Sequence, residues 1–356
     1  MLRKGTFILM KTKIQDMTSG SPGRLIILFA IPLMLGNICQ QLYTMVDTMV
    51  VGQVAGVEAL AALGAVDFLM WVVTGISTGL TQGFSIQLSQ YYGAKDFENL
   101  RKSLAHSYRL TAFIAAGVLI LSQSFASLVL TGLHTPSNII GMSLLYLRII
   151  FCGIPATAAY NMFASALRAM GNSKTPLTAM IIASVLNVSL DILFVAGFGW
   201  GVAGAAIATV IAQSFSAVYC FLILRRIDIV HLTRADFMPA SGMNARLMKL
   251  GIPVVFQNII IGVGGLVVQY VINGYGFLFV AGFTATNKLY GLLEMAAISY
   301  GYAIVTYVGQ NLGAGKIDRI RKGVRSSMLL SLLTSLIISA AMFLFGKKYS
   351  LTFHLR

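Results

Sequence analysis

Runs of about twenty apolar residues recur along this chain and are separated by short polar segments. A helix of roughly twenty residues crosses the ~30 Å hydrocarbon core of a bilayer, whereas the strands of a membrane barrel alternate apolar and polar positions. The pattern therefore predicts an all-α polytopic membrane protein with about nine transmembrane helices. The predicted spans are 25–51, 56–82, 107–130, 139–160, 176–197, 202–224, 251–273, 278–308 and 327–346.

The composition supports this class of protein. Of the 356 residues, 57% are hydrophobic and only 10% are charged, whereas a soluble domain carries roughly a quarter charged residues. The formal net charge of +15 is distributed unevenly, because five segments hold 21 of the 26 Lys and Arg residues and four short loops between them hold none. The basic segments are 1–24, 91–109, 161–175, 225–250 and 309–325, and the loops are 52–55, 131–138, 198–201 and 274–277.

This alternation of basic and uncharged loops follows the positive-inside rule. It predicts a cytoplasmic N-terminus, and nine spans would then leave the C-terminus outside. We expect the basic residues to contact anionic lipid headgroups, and we expect no nucleic-acid partner.

The sequence offers few candidates for catalysis or for a metal centre. The three cysteines lie in predicted spans without CxxC spacing and are expected to be buried thiols, and the four histidines, in or near loops, are expected to be solvated. No Walker loop or HExxH motif occurs. We therefore expect no enzyme activity, no cofactor and no metal beyond a transported ion. These residues are Cys39, Cys152, Cys220, His106, His134, His231 and His354.

Two stretches of the chain recur further along it. The Ile-Pro pair at Ile31, with an Asn six residues later, recurs at Ile252, and QYYGAKD from Gln90 resembles QNLGAGKID from Gln310. The offsets of 221 and 220 residues are nearly equal, which indicates a duplicated gene. Because six helices precede the second copy, both copies start on one side of the membrane, and this predicts parallel repeats with a substrate between the halves.

The second copy is expected to be incomplete, because at this offset the chain ends at the equivalent of Thr135. The predicted architecture is one complete six-helix lobe plus a truncated second lobe. Its parts are a cytoplasmic N-terminal segment (1–24), an N-terminal six-helix lobe (25–225), a cytoplasmic linker (226–250), a partial C-terminal lobe of three helices (251–346) and a polar tail (347–356).

Six charged residues fall well inside predicted spans, where a charge costs ~2.5–3.5 kcal/mol on insertion scales and marks a candidate functional residue. We assign no role to Asp67, Lys288 or Glu294, although Lys288 could pair with Glu294. The six are Asp47, Asp67, Arg148, Asp191, Lys288 and Glu294.

Depth within the membrane brings four polar residues together. Asp47 lies near the outer end of the first span, and at 1.5 Å per residue Asp191 lies ~9 Å below the outer surface, with Asn187 one turn deeper on the same face. Thr209, on the next span, lies ~12 Å below that surface. These side chains therefore place their oxygens in one layer of the first lobe.

Such a layer permits two kinds of chemistry. Two carboxylates can share a proton, because burial and a neighbouring like charge both disfavour the ionised form, or the oxygens can coordinate a hard cation such as Na⁺. The structural alternative is that Asp191 forms a buried ion pair with Arg148 while Asn187 only joins helices. The sequence leaves these alternatives open.

Several stretches resemble the multidrug and toxic compound extrusion (MATE) family, in particular its bacterial branch. They cover most of residues 20–325. The stretches are FAIPLMLGNICQQLYTMVDTMVVGQ, GLTQGFSIQLSQYYGAKD, ALRAMGNSKTPL, NVSLDILFV, GVAGAAIATVIAQ and VGQNLGAGK.

The resemblance implies a secondary antiporter of the bacterial plasma (inner) membrane. Such a protein exports a cationic or amphiphilic small molecule, a drug or toxin, in exchange for H⁺ or Na⁺, and we expect a monomer. Gln257 stands where some members carry an acidic residue, so a second-lobe coupling site is not expected. The residues matching the family's coupling site are Asp47, Asn187, Asp191 and Thr209, and those matching its hinge and cavity are Pro32, Gln40, Tyr43 and Asn161.

Two other functions stay open. The chain could be a non-transporting truncated remnant of such an exporter, because a lobe without three of its helices would expose polar surface to lipid. A flippase for a lipid-linked sugar would need several basic residues facing its cavity, and only Arg148 and Lys288 lie well inside the predicted spans.

Overall fold

The computed structural model describes residues 14–133, 135–273 and 277–352, and every regular element in that part is helical. The eleven α-helices there confirm the predicted all-α membrane class. His134, the segments 1–13, 274–276 and 353–356, and the side chain of Lys288 lie outside the described residues. The helices are α1 (Pro22–Val54), α2 (Val57–Gly64), α3 (Asp67–Gly93), α4 (Phe97–Gly132), α5 (Ile140–Cys152), α6 (Ile154–Ala169), α7 (Lys174–Asp191), α8 (Gly201–Leu224), α9 (Met243–Asn273), α10 (Phe277–Gly313) and α11 (Ile317–Thr352).

Within these described residues, six helices are long and apolar enough to cross a membrane, and the two bent pairs α2–α3 and α5–α6 raise the number to eight. The span predicted at 278–308 lies in α10. The count of nine spans and the division into lobes and linker stay predictions. Large apolar side chains are exposed on the surface of the helix bundle, Phe113 by 82% and Ile337 by 69%, as expected of helices that face lipid.

Two predicted spans are each broken into two helices. The chain bends by 46° between α5 and α6, where Pro155 is the second residue of α6 and therefore has no N–H to leave unpaired. Gly153, at the bend, packs against Val210 of α8, and a Cβ on Gly153 would lie 2.6 Å from that side chain. Hydropathy could not show the break because the residues on both sides are apolar.

The bundle has two distinct ends. At the basic end, Gln15 N donates to Gly171 O at 3.1 Å, and Arg319 Nη1 donates to Gly20 O at 2.9 Å. At the distal end, Asn138 Nδ2 donates to Glu58 Oε1 at 3.1 Å. Three of the predicted basic segments thus meet at one end through their described residues, and the turn before α5 meets the start of α2 at the other.

The two sequence copies pack on each other reciprocally. The first long helix of each copy lies against a helix of the other copy, α1 against α10 and α9 against α3. Asn37 Nδ2 of α1 donates to Ser299 Oγ at 3.1 Å, and its counterpart Asn258 Nδ2 of α9 donates to Gly75 O at 3.1 Å. The repeat in the sequence therefore has a structural counterpart.

At the basic end, α3 and α10 cross backbone to backbone. A Cβ on Gly93 would overlap the carbonyl of Gln310, and a Cβ on Gly313 would overlap the carbonyl of Gln90. Each glycine thus packs on the glutamine of the other copy, which explains why the Gln-x-x-Gly pattern recurs.

A short non-helical segment, residues 14–21, crosses the basic end, and we call it the strap. It is hydrogen-bonded to the α6–α7 turn through Gln15. On the opposite side, Met17 N donates to Gln310 Oε1 at 3.0 Å, and Asn311 Nδ2 donates to Met17 O at 2.9 Å. Met17 is fully buried, so the strap joins the two copies.

Candidate cation site

The candidate site lies where α1, α7 and α8 converge towards the distal end. These three helices pack on one another and carry the predicted Asp47, Asn187, Asp191 and Thr209. Asn187 Nδ2 donates to Thr209 Oγ1 at 3.4 Å, and Asp47 lies within electrostatic range of Asp191. The structure therefore brings the four predicted residues together, although their role in coupling stays a prediction.

Burial makes this group unusual. Asn187 and Asp191 are fully buried and Asp47 is 6% exposed. Among the residues that the structure describes, no hydrogen-bond donor reaches Asp47 Oδ1, Asn187 Oδ1 or either carboxylate oxygen of Asp191. We call these four atoms the oxygen cluster. Leaving one such acceptor unsatisfied costs about 1–3 kcal/mol, and more for a charged group, so the cluster favours a bound proton or a hard cation.

The backbone changes character at Asp191. The α-helix α7 ends there and continues as one π-helical stretch, Ile192–Gly197. Such π turns often occur at functional sites because they widen the helix and redirect its side chains. Phe194 stacks on Trp200 with ring centroids 5.1 Å apart, and aromatic rings therefore cover the distal end of α7.

Two residues that sequence reasoning missed extend the site. Gln213 Nε2 of α8 donates to the hydroxyl of Tyr43 at 3.4 Å, and Tyr146 of α5 lies within electrostatic range of both Asp47 and Asp191. Gln213 was detectable, because it lies one turn beyond Thr209 and repeats the spacing of Asn187 and Asp191. Tyr146 gave no such signal, since no candidate site residue in its own span lies one helical turn from it.

A third carboxylate lies near Asp47. Asp67 is the first residue of α3, directly after the α2–α3 break, and is exposed. It lies within electrostatic range of Asp47, but it contributes no atom to the oxygen cluster.

The proposed ion pair between Asp191 and Arg148 is wrong. Arg148 is exposed on α5, and neither carboxylate oxygen of Asp191 meets a hydrogen-bond donor anywhere in the described chain. Arg148 faces away because the helix packs inward through the two preceding side chains, Tyr146 and Leu147. Asn187 does join α7 to α8, as the structural alternative expected, but its side-chain oxygen remains in the oxygen cluster.

The residues predicted to form the hinge and the cavity are distributed along α1 and α6. Pro32 is buried inside an uninterrupted α1, Gln40 is exposed and Tyr43 is half-buried. Asn161 Nδ2 of α6 donates to Thr78 Oγ1 of α3 at 3.2 Å. Glu294 and Gln257 are exposed, and a pair between Glu294 and Lys288 lies outside the described side chains.

Two expectations about isolated side chains are wrong. His106 is only 2% exposed, because the segment after α8 folds back over α4, and its ring nitrogens lie 2.7 Å from Asn244 Oδ1 and 3.1 Å from Met238 O. Cys152 is exposed on the outer surface, whereas Cys220 is buried as expected. No group of three or more His, Cys, Asp or Glu that could hold a metal occurs in the described ranges.

Comparison with known proteins identifies relatives over most of the chain. The family model MatE matches residues 32–193 and 253–355. The matched segments start 221 residues apart, which is the repeat offset found in the sequence.

The curated relatives are multidrug resistance proteins. The probable multidrug resistance protein YpnP of Bacillus subtilis is 32% identical over 308 residues, which are 86% of this chain and 69% of that protein. The probable multidrug resistance protein NorM of Thermotoga maritima is 26% identical over 90% of this chain and 70% of its own length. The chain thus spans about 70% of the length of these relatives.

Solved structures share the fold. A MOP superfamily transporter from Pyrococcus furiosus superposes with a TM-score of 0.91 at 23% identity, covering 97% of this chain and 77% of that one. MATE structures described as straight and bent superpose with TM-scores of 0.89 and 0.87, each at 23% identity, and cover 96% and 95% of this chain and 77% and 76% of their own.

The family model covers well over half of the chain, and the YpnP relative independently exceeds 30% identity across most of it. The all-helical fold and the reciprocal packing of two copies agree with the structural neighbours. This chain belongs to the MatE family of multidrug efflux transporters.

Proposed function

We propose that this protein is a secondary active antiporter that exports cationic or amphiphilic drugs or toxins in exchange for H⁺ or Na⁺. The observation that carries the proposal is the oxygen cluster, formed by Asp47, Asn187 and Asp191 on two different helices. Intramembrane carboxylates are costly and typically mark ion pathways. A coupling ion bound here would neutralise both carboxylates at once.

The coupling mechanism follows from the two helices that hold the charges. When a proton or Na⁺ is bound, Asp47 of α1 and Asp191 of α7 can remain close together. When the ion leaves, the two carboxylates repel each other and disfavour the packing of α1 on α7. An ion can shift a conformational equilibrium only by binding one state better, and this geometry supplies that difference.

Pro32 gives α1 a place to bend in response. A proline inside a helix removes one backbone hydrogen bond and clashes with the preceding turn, so bending at Pro32 costs less than bending elsewhere in α1. Tyr43, Gln40 and Asn161 would then contact the substrate. The two buried carboxylates, Asp47 and Asp191, favour a cationic substrate.

The orientation in the membrane follows from charge. Positive residues accumulate on the cytoplasmic side of membrane proteins, so the basic end faces the cytoplasm of a bacterial plasma membrane and the oxygen cluster lies towards the outside. A downhill ion would therefore enter the site from the outer surface.

The decisive experiment is efflux of a fluorescent cation from cells that express the full chain, with imposed H⁺ or Na⁺ gradients. We expect efflux that follows one of these gradients and is lost in Asp191→Asn. Asp228→Asn, an exposed carboxylate of the linker, is the matched control and should behave like the wild type. Wild-type efflux by Asp191→Asn at equal membrane levels would contradict the proposal, and a well-inserted chain without any efflux would favour the non-transporting alternative.

A further inference from the structure

An apolar cavity lies away from the candidate cation site, on the face of α6 opposite to Asn161. It is a groove of about 410 Å³ between α4, α6 and α8, and we call it the tail groove. Its lining is almost entirely apolar, and Ala112, Ala116 and Pro155 are exposed at its edge. The groove therefore opens towards the lipid-facing surface, whereas Asn161 on the other face of α6 contacts α3.

The groove lies beside the bend in the chain. The helices α5 and α6 meet there at 46°, and Pro155, the second residue of α6, lines the groove. The facing positions are alanines, Ala112 and Ala116 on α4 and Ala159 on α6, and such small side chains do not fill the gap. An acyl chain has the width and the chemistry to do so, since burial of each CH₂ group contributes about 0.8 kcal/mol.

A second, polar cavity continues the tail groove at the basic end. This head pocket, of about 270 Å³, is lined by Arg225 and His231 and shares Tyr108 and Phe221 with the tail groove. Tyr108 and Phe221 each contact Phe163, with ring centroids 5.3 and 5.2 Å apart. Aromatic residues typically lie at the level of the lipid headgroups, so the three rings mark the boundary between tail and head.

The charge of the head pocket indicates an anionic ligand. The Arg225 guanidinium lies 5.6 Å from the centre of the Phe221 ring and is exposed. Within the described residues it forms no salt bridge, and the ion pairs there join Arg101 to Asp236 and Lys102 to Glu98. Asp228 is the nearest acidic residue along the chain, and Arg225 and Arg226 outnumber it.

We propose that the tail groove and the head pocket together bind one anionic phospholipid of the leaflet that borders the basic end. Its phosphate lies at Arg225, and one acyl chain fills the groove beside the α5–α6 bend. Basic pockets between membrane helices are established sites for anionic headgroups. The inference rests on the proposed orientation, and it is independent of the coupling ion.

The test is retention of a defined phospholipid by the purified full chain. The protein is reconstituted with phosphatidylglycerol or with phosphatidylcholine of identical acyl chains, and bound lipid is counted by native mass spectrometry. We expect one phosphatidylglycerol to be retained in preference to phosphatidylcholine. Arg225→Gln should reduce this retention by about fivefold, the factor that corresponds to ~1 kcal/mol per basic contact.

Matched variants separate the headgroup from the tail. Arg226→Gln removes the adjacent exposed arginine, which lines neither cavity, and should leave retention unchanged. Ala116→Phe fills the tail groove and should abolish retention, whereas Ile120→Phe, one turn further on α4 and 65% exposed, should not.

Three results would overturn the proposal: equal loss in Arg225→Gln and Arg226→Gln, equal retention of the two phospholipids, or preferential retention of a cationic amphiphile. Since lipid is counted without transport, Asp191→Asn should retain phosphatidylglycerol like the wild type. Failure of the lipid proposal is therefore distinguishable from failure of the antiporter proposal.

Discussion

At the scale of single residues, depth along a membrane helix is the property that the sequence reveals best. The rise per residue is fixed, so counting from the span ends was enough to bring Asp47, Asn187, Asp191 and Thr209 into one layer. Depth does not show which way a side chain points around its helix. For that reason the counting also placed Arg148 near Asp191, although the structure leaves Arg148 exposed on another face.

Residues whose contacts join distant segments of the chain could not be identified from the sequence. His106 is buried by Asn244 and Met238, more than 130 positions away, and Tyr146 reaches the site from α5. A local pattern cannot reveal such contacts because it contains only one of the two partners. Gln213 is the exception, since its spacing to Thr209 is local.

The hydroxyl of Thr209 offers a test of the oxygen cluster at this scale. It accepts the hydrogen bond from Asn187 Nδ2, which fixes the Asn187 amide with its oxygen in the cluster. Thr209→Val keeps the shape and removes that acceptor. We expect the half-saturating ion concentration for efflux to rise about fivefold, in line with the ~1 kcal/mol of a typical hydrogen bond.

The matched control is Thr131→Val, because Thr131 is an exposed residue of α4 whose hydroxyl bonds only its own helix, at Ser127 O. Efflux titrations against H⁺ and Na⁺ would compare the two variants. An unchanged half-saturating concentration in Thr209→Val would show that the hydrogen bond between Asn187 and Thr209 does not contribute to ion binding.

At the scale of elements, hydropathy located the membrane helices and missed their irregularities. The break at Gly153 is invisible to an apolar window, and so is the helical continuation of the polar segments, where α3 runs to Gly93 and α4 starts at Phe97. Between them Lys95 adopts φ 58°, and Asp96 caps α4 by accepting from Asn99 N at 3.1 Å. Polar residues ended the predicted spans, but they did not end the helices.

The strap is the element whose role is most directly testable. Arg319 holds it by donating to Gly20 O at 2.9 Å and to Met17 O at 3.4 Å. Arg319→Gln removes the guanidinium that makes both bonds. We expect amide hydrogen exchange in residues 15–20 to accelerate about tenfold, since hydrogen bonds to a charged group contribute roughly 1.5–3 kcal/mol.

The control for the strap is Arg321→Gln, an exposed arginine of the same helix, which should leave the exchange unchanged.

The pH dependence of the strap follows from Asp16. Burial of Asp16 would raise its pKa, but hydrogen bonds from Thr18 and Ser19 and the nearby Lys316 lower the pKa of this carboxyl below its usual value. A lowered pKa contributes stability above the unfolded value that is lost only as the pH falls through the folded value. Protection of the strap should therefore be constant from about pH 5 to about pH 8, and a loss within that range would contradict the assignment.

At the scale of the whole molecule, the repeat in the sequence predicted two related halves and could not predict how they meet. The recurring Gln, Gly and Ala were recognised as equivalent residues at one end. In the structure Gly93 packs on Gln310 and Gly313 packs on Gln90. These are contacts between the two copies, and each copy contains only one of the two partners. The reciprocal crossing makes α3 and α10 the point at which the halves are held closest.

This crossing predicts how two glycine variants behave together. Gly93→Ala or Gly313→Ala would place a methyl group on the backbone of the other copy, where no flexible side chain can yield, and overpacking of this kind typically costs ~1–3 kcal/mol. The two variants should destabilise the protein to a similar extent in thermal unfolding, because each separates the same pair of helices. Once one methyl group has moved α3 away from α10, the second meets less resistance, so the double variant should fall short of the sum. Gly301→Ala is the control on α10, since no described atom lies within 4 Å of a Cβ there, and it should not destabilise the protein, because Ala favours a helix over Gly by roughly 1 kcal/mol. If the two destabilisations add fully, or if only one glycine variant destabilises the protein, the two copies do not pack through a shared crossing of α3 and α10.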